Sequence, residues 1–195
     1  MTLSELIPAG QPQGAGVFAR HRGLFVFVAY RPRKEPLAVV CGRIGGWRKE
    51  GESWPDCVRR ELREEIACNV RLISSDQCYF ADPQGSARPI DLDDAPRPLL
   101  VSLQHLTGRG AGFYYNVVFR AELLGEPQPQ REIDALLFFS EQHLAALSAG
   151  PLPLSTLAGQ GALVIERQPL PEGAVVRLGR SVHLLAELLA SGLHV

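Results

Sequence analysis

The chain has 195 residues, 46% hydrophobic and 21% charged, which supplies enough apolar material for one globular core. Twenty Lys and Arg stand against 21 Asp and Glu, a net charge of -1. That balance argues against a protein that coats nucleic acid and leaves a single nucleotide open as ligand. The longest apolar run, Leu24 to Tyr30, is far too short to span a bilayer.

In chain order, Met1 to Gly16 is rich in Pro, Gly and Gln and reads as an arm or loop without the pattern of a signal peptide. Leu24 to Tyr30 is β-branched and aromatic and reads as a buried strand, followed by a turn at 31–36 and a second strand over Leu37 to Cys41. Gly42 to Gly51 contains four glycines and reads as a loop. Ser53 is placed to cap a helix running from Trp54 to Ile66, with Pro55 tolerated in its first turn. Asn69 to Ser74 and Gln77 to Phe80 are short strands, and Asp82 to Pro98 is a long polar loop.

Leu99 to Leu106 and Phe113 to Leu123 form a strand pair around the glycine-rich turn Thr107 to Gly110. Ala135 to Phe139 is a strand, Glu141 to Ser148 a short helix, and Gly150 to Gly161 a Pro/Gly-rich stretch with room for one helical turn. Arg180 to Ala190 is an amphipathic helix with Val182, Leu185 and Leu189 on one face. Strands mixed with a few helices, not strictly alternating, give an α/β or α+β class. Residues 1–195 read as one domain with an arm at 1–16 and a helical elaboration over about 141–195. Cys41, Cys57, Cys68 and Cys78 lack metal-ligand spacing and read as reduced thiols of a cytoplasmic protein.

The chemistry concentrates between Gly46 and Cys68. Glu61, Glu64 and Glu65 lie at i, i+3 and i+4 of the predicted helix, in one sector of its surface. Val58, Leu62 and Ile66 form the adjoining apolar stripe, so the acidic sector borders the core. Three neighbouring carboxylates repel one another unless something compensates. Bound Mg²⁺ or Mn²⁺ would do so, since hard cations take oxygen ligands. The competing reading is a solvated acidic face laced with Arg59, Arg60 and Arg63.

The segment resembles the Nudix box, G-x5-E-x7-R-E-U-x-E-E-x-G-U with U a bulky aliphatic residue. Gly46, Glu52, Arg60, Glu61, Leu62, Glu64 and Glu65 match; Ala67 replaces a glycine and Cys68 an aliphatic residue. The resemblance implies an α/β/α sandwich with a mixed sheet and a pyrophosphohydrolase that uses Mg²⁺ or Mn²⁺. It makes Glu61, Glu64 and Glu65 metal ligands and catalytic groups, the Gly45 carbonyl a further ligand, and Glu52 with Arg60 a pair bracing loop on helix. Glu132, in a stretch similar to the family's Glu-Ile…Trp-Phe-Ser, becomes a further catalytic candidate. Ala67 costs roughly 1 kcal/mol if it keeps a positive φ, unless the helix runs on and Asn69 makes the turn.

The substrate is less legible. Arg43 and Lys49 flank the glycine loop as phosphate-binding candidates, and Trp47 is placed either to stack on a base or to plug the loop. Pro83 loosely resembles the proline that marks the ADP-ribose branch, which favours a nucleoside diphosphate linked to another moiety. The acidic run Asp91, Asp93 and Asp94 would repel a bare polyphosphate. Two alternatives stand beside the hydrolase: a nucleotide-sensing module that does not cleave, and an isoprenoid diphosphate isomerase using a cysteine such as Cys41 or Cys78. Gly150 to Val195, beyond a minimal domain of this family, either covers the sheet or makes a homodimer contact.

Overall fold

The computed structural model describes residues 1–106, 112–130 and 133–193. Its strands are β1 (Gln13–His21), β2 (Leu24–Tyr30), β3 (Ala38–Gly42), β4 (Ile44–Trp47), β5 (Val70–Ile73), β6 (Cys78–Ala81), β7 (Ala87–Ile90), β8 (Leu100–His105), β9 (Phe113–Leu123), β10 (Ala135–Phe139), β11 (Leu152–Pro153), β12 (Leu163–Glu166) and β13 (Val175–Leu178). Its helices are α1 (Leu3–Leu6), α2 (Trp54–Ile66), α3 (Glu141–Ser148), α4 (Leu154–Gly159) and α5 (Arg180–Ala190). Among the described residues no helix is long and apolar enough to cross a membrane.

The sheet is mixed and its organising strand is β1. One edge of β1 runs parallel to β9 from Gln13↔Tyr115 to Arg20↔Glu122. Its other edge is shared, β4 taking Gly14 to Val17 and β2 taking Ala19 to His21, both antiparallel. Alternation along β1 and β2 divides the core. Val17, Ala19, Val26 and Val28 face α2, whereas Phe18, Phe25 and Phe27 face the layer of α3 and α5. On one side α2 buries Cys57, Val58, Leu62 and Ile66. On the other, Leu144, Leu147, Val182 and Leu185 pack with Phe139. Fully burying each such aliphatic or aromatic side chain contributes about 1.5–3 kcal/mol, which makes both layers necessary to the sheet.

Several expectations are corrected. Gln13 to Gly16, read as part of an arm, begins the central strand. Its glycines hid it, and Gly16 is required there: a Cβ on it would lie 2.3 Å from Arg43 Nη1 and 2.4 Å from the Ile44 carbonyl. The 42–51 loop contains β4, because Ile44 to Trp47 complete the edge of β1. The 82–98 loop contains β7, which pairs antiparallel with β6. The segment after residue 141 is not purely helical, since β12 extends the sheet through β10 and β13 runs parallel to β3. The turn expected at 107–110 falls outside the described residues. The bounds of α2, α3 and α5 agree with the sequence reading.

Candidate active site

The site is built on α2 and the β3–β4 turn. Ser53 Oγ accepts the Asp56 N–H at 3.1 Å, which fixes where the helix starts. At the other end Ala67 adopts φ 51°, ψ 32°, and its N–H returns to the Leu62 carbonyl. The helix therefore stops where the box that it resembles carries glycine, and alanine accepts the left-handed backbone.

Between these ends the apolar stripe is buried and the acidic sector lies at its rim. Arg60 organises that sector. Its Nε and Nη2 bind the two oxygens of Glu52 at 2.9 and 3.0 Å, its Nη1 reaches Glu61 at 2.6 Å and Glu64 at 3.1 Å, and Nη2 also donates to the Trp47 carbonyl at 3.0 Å. Glu52 and Glu61 are each 13% exposed at the side chain, whereas Glu64 is 55% exposed. The Arg60 guanidinium, helped by the Lys49 N–H, holds the Glu52 carboxyl at about 2 against an ordinary 4.5. The same pairing raises the Arg60 pKa above its usual value.

The glycine pair lets these carboxylates approach the loop backbone. Glu65 Oε2 accepts the Gly45 N–H at 2.8 Å. A Cβ on Gly46 would lie 2.4 Å from Glu61 Oε1, so only glycine leaves room for that carboxylate. Gly45 has φ 139°, and a Cβ there would fall 2.2 Å from the Ala15 carbonyl.

Glu65 and Gly45 open onto a cavity of about 470 Å³. Its other polar walls come from Arg43, Tyr114, Gln104 and the first residues of α5. Arg43 donates to Asn116 Oδ1 at 2.5 Å and to the Ala15 carbonyl at 3.3 Å. Burial lowers its pKa from the usual value, and the nearby Tyr114, Glu65 and Glu61 oppose that shift. The Tyr114 hydroxyl donates to Gln104 at 2.8 Å; Gln104 Nε2 and Asn116 Nδ2 both donate to Ser181 Oγ, at 3.3 and 3.1 Å. This buried network stitches α5 to β8 and β9.

The sequence candidates separate in space. Arg43, Gly45 and Glu65 meet at the cavity. Glu61, Glu64, Glu52 and Arg60 form the ion-pair shelf behind it. Trp47 is 49% exposed and packs its ring 5.0 Å from that of Tyr114, so it does not plug the loop. Lys49 is exposed and contributes its backbone N–H to Glu52 at 3.0 Å. Glu132 lies outside the described residues, while its neighbour Ile133 lines the cavity. The Asp82 to Pro98 segment is strapped down at its acidic run, since Asp94 accepts the Leu3 N–H at 2.8 Å. Cys41 and Cys78 are buried away from the cavity lining, and burial pushes Cys78 to about 12.

Among the described residues no three His, Cys, Asp or Glu side chains gather into a ready metal cage. Arg60 holds Glu61 and Glu64, and the Gly45 N–H holds Glu65. The donor chemistry nevertheless fits a hard divalent cation: carboxylate oxygens lie against a glycine backbone whose missing Cβ leaves them space. Sequence reasoning missed Gln104, Asn116, Arg180 and Ser181. One signal was available, since Asn116 is a polar residue inside the apolar strand that continues Val117-Val118-Phe119.

No family model and no curated protein sequence matches the chain. Solved structures do. A Nudix-family hydrolase from Clostridium perfringens aligns over 95% of this chain and 99% of that one, with 14% identity and a TM-score of 0.50. An ADP-ribose pyrophosphatase from Streptococcus suis aligns over 95% of each, with 16% identity and a TM-score of 0.45. A Nudix hydrolase from Nitrosomonas europaea aligns over 70% of this chain and 61% of that one, less than two thirds of its length, with 14% identity and a TM-score of 0.44. The first of these three carries the likeness: sheet and flanking helices have the arrangement of that hydrolase.

Proposed function

We propose that this chain, which has the Nudix fold, is a metal-dependent hydrolase that cleaves the pyrophosphate bond of a nucleoside diphosphate linked to another moiety. One observation carries the reading: a box-like helix delivers Glu65 to the same cavity that Arg43 and the glycine turn line. Glu61, Glu64 and Glu65, with the Gly45 carbonyl, would hold Mg²⁺ or Mn²⁺, which when bound neutralises phosphate charge and makes water a better nucleophile. Water adds to phosphorus, the bridging P–O bond breaks, and the water proton passes to a carboxylate of the α2 sector. Arg43, beside Gly45 in the same lining, neutralises a phosphate oxygen. The Trp47–Tyr114 ring pair offers an exposed aromatic face to a base.

The test is a panel of nucleoside triphosphates, nucleotide sugars, dinucleotides, ADP-ribose and coenzyme A, with Mg²⁺ and Mn²⁺ tested separately and products resolved by chromatography. One class should be cleaved, and Glu64→Gln and Glu65→Gln should each lower turnover about 10²-fold or more while the protein stays folded. Unchanged turnover in both variants would sink the reading. A compound that raises the melting temperature without being cleaved would favour a binding module instead.

A further inference from the structure

We infer that Arg180 is a specificity-determining residue which, together with Arg43, holds a phosphate group of the substrate at the cavity lining. The word substrate rests on the hydrolase reading; the anion site itself does not.

Arg43 and Arg180 are far apart in sequence, one in the β3–β4 turn and the other the first residue of α5. The fold brings both to the lining of the same cavity. They also share a neighbour, since both positive charges act on the Tyr114 hydroxyl and oppose the rise that its burial causes. Arg180 is positioned before any ligand arrives: its Nη2 donates to the Asp82 carbonyl at 3.0 Å and to the Pro83 carbonyl at 2.6 Å. Both acceptors are neutral, and Arg180 forms no ion pair among the described residues. Its orientation is therefore fixed while its charge stays uncancelled. Arginine carries five donors in a planar fork, and one nitrogen is spent on the two carbonyls. The remaining edge suits the paired oxygens of a phosphate.

The surroundings favour an anion over a neutral group. Gly179, the N-cap of α5, offers no side-chain oxygen to the helix. The Ser181 hydroxyl is committed to Gln104 and Asn116, which anchors the first turn of α5 in the wall. The early N–H groups of a helix have no partner within it, so Ser181 and Val182, both on the cavity lining, add partial positive charge there. A sugar or other neutral moiety would leave the Arg180 guanidinium facing it without a counter-charge. A phosphate supplies one.

The probe is inorganic pyrophosphate, titrated calorimetrically without divalent metal into the wild type, Arg180→Ala and Arg180→Lys. Affinity should fall about tenfold or more in Arg180→Ala, because a charge-assisted hydrogen bond contributes that much. Arg180→Lys should recover part of it, keeping the charge and losing the fork. Thermal melts check that the variants fold, and Arg180→Lys serves if the alanine variant does not. Undiminished pyrophosphate binding in Arg180→Ala, or no binding to the wild type at millimolar concentration, overturns the proposal. The two readings fail separately. Arg180-dependent pyrophosphate binding in a protein that cleaves nothing keeps the anion site and discards the hydrolase. Turnover with pyrophosphate affinity indifferent to Arg180 does the reverse.

Discussion

Two regions beside one another carry opposite charge and are held by opposite means, an acidic wall on α2 behind the cavity and a basic wall in its lining. On the α2 side the groups are acidic, and an internal cation organises them: Arg60 joins Glu52, Glu61 and Glu64. In the lining two groups are basic, and their hydrogen-bond acceptors are neutral, Asn116 and the Ala15 carbonyl for Arg43, the Asp82 and Pro83 carbonyls for Arg180. The acidic wall thus sets one guanidinium against three carboxylates and stays net negative, whereas Arg180 in the basic wall carries a charge that no ion pair among the described residues cancels. A cation joining the first wall must compete with Arg60. An anion joining the second meets an arginine already oriented by carbonyls. The lesson is that orientation and neutralisation are separable: Arg60 is oriented by its ion pairs, whereas Arg180 is oriented without one.

The largest effect should come from removing the cation that compensates the acidic wall. Arg60→Ala leaves Glu52 and Glu61 mostly buried without their partner and should cost about 3 kcal/mol, measured by urea unfolding. The pH profile gives the mechanism. Glu52 has a folded pKa near 2, depressed from 4.5, so its stabilisation is fully present above 4.5 and is lost as pH falls towards 2. Stability of the wild type should decline across that window, and Arg60→Ala should show a shallower decline. Equal slopes would mean that Arg60 does not set the charge state of this wall.

Gly46→Ala probes the close approach of the acidic wall to the loop. The new methyl would meet the Glu61 carboxylate rather than backbone, so the side chain can give way and the melting temperature should hardly change. Turnover on the identified substrate should fall roughly tenfold or more, because displacing a reacting-site group by about 1 Å is costly. Full turnover would show that Glu61 need not lie against the glycine turn.

The smallest effect should come from outside both walls. Ala67→Gly relieves a non-glycine residue at φ 51° and should stabilise the chain by about 0.5–1 kcal/mol, raising the melting temperature by roughly 2 °C. A loss of stability would place the cost of alanine's left-handed backbone below the entropy that glycine gives up.

The acidic wall was legible because its information is local. The i, i+3, i+4 carboxylates, the apolar stripe beside them and the Ser53 cap all lie within one helix, and α2 runs over the predicted Trp54–Ile66. The box pattern also singled out Arg60 with Glu52, which the fold joins by two hydrogen bonds. The basic wall was half legible. Arg43 was a candidate through its nearness to the glycine turn, and α5 was predicted to its ends. Nothing local linked Arg180 to Arg43. β1 was hidden altogether, because glycines at 14 and 16 read as loop while Arg43 and Ile44 leave no room for a side chain at position 16.

By itself, then, the sequence determined the helices α2, α3 and α5, most long strands and the acidic sector, since each follows from periodicity or capping within about a dozen residues. Tertiary structure decided that Gln13 to Gly16 would be the centre of a sheet, that β13 would pair with β3, and that Arg180 would share a cavity with Arg43 and Glu65. Those outcomes depend on burying two faces of one sheet at once, a constraint between distant residues that no local pattern records.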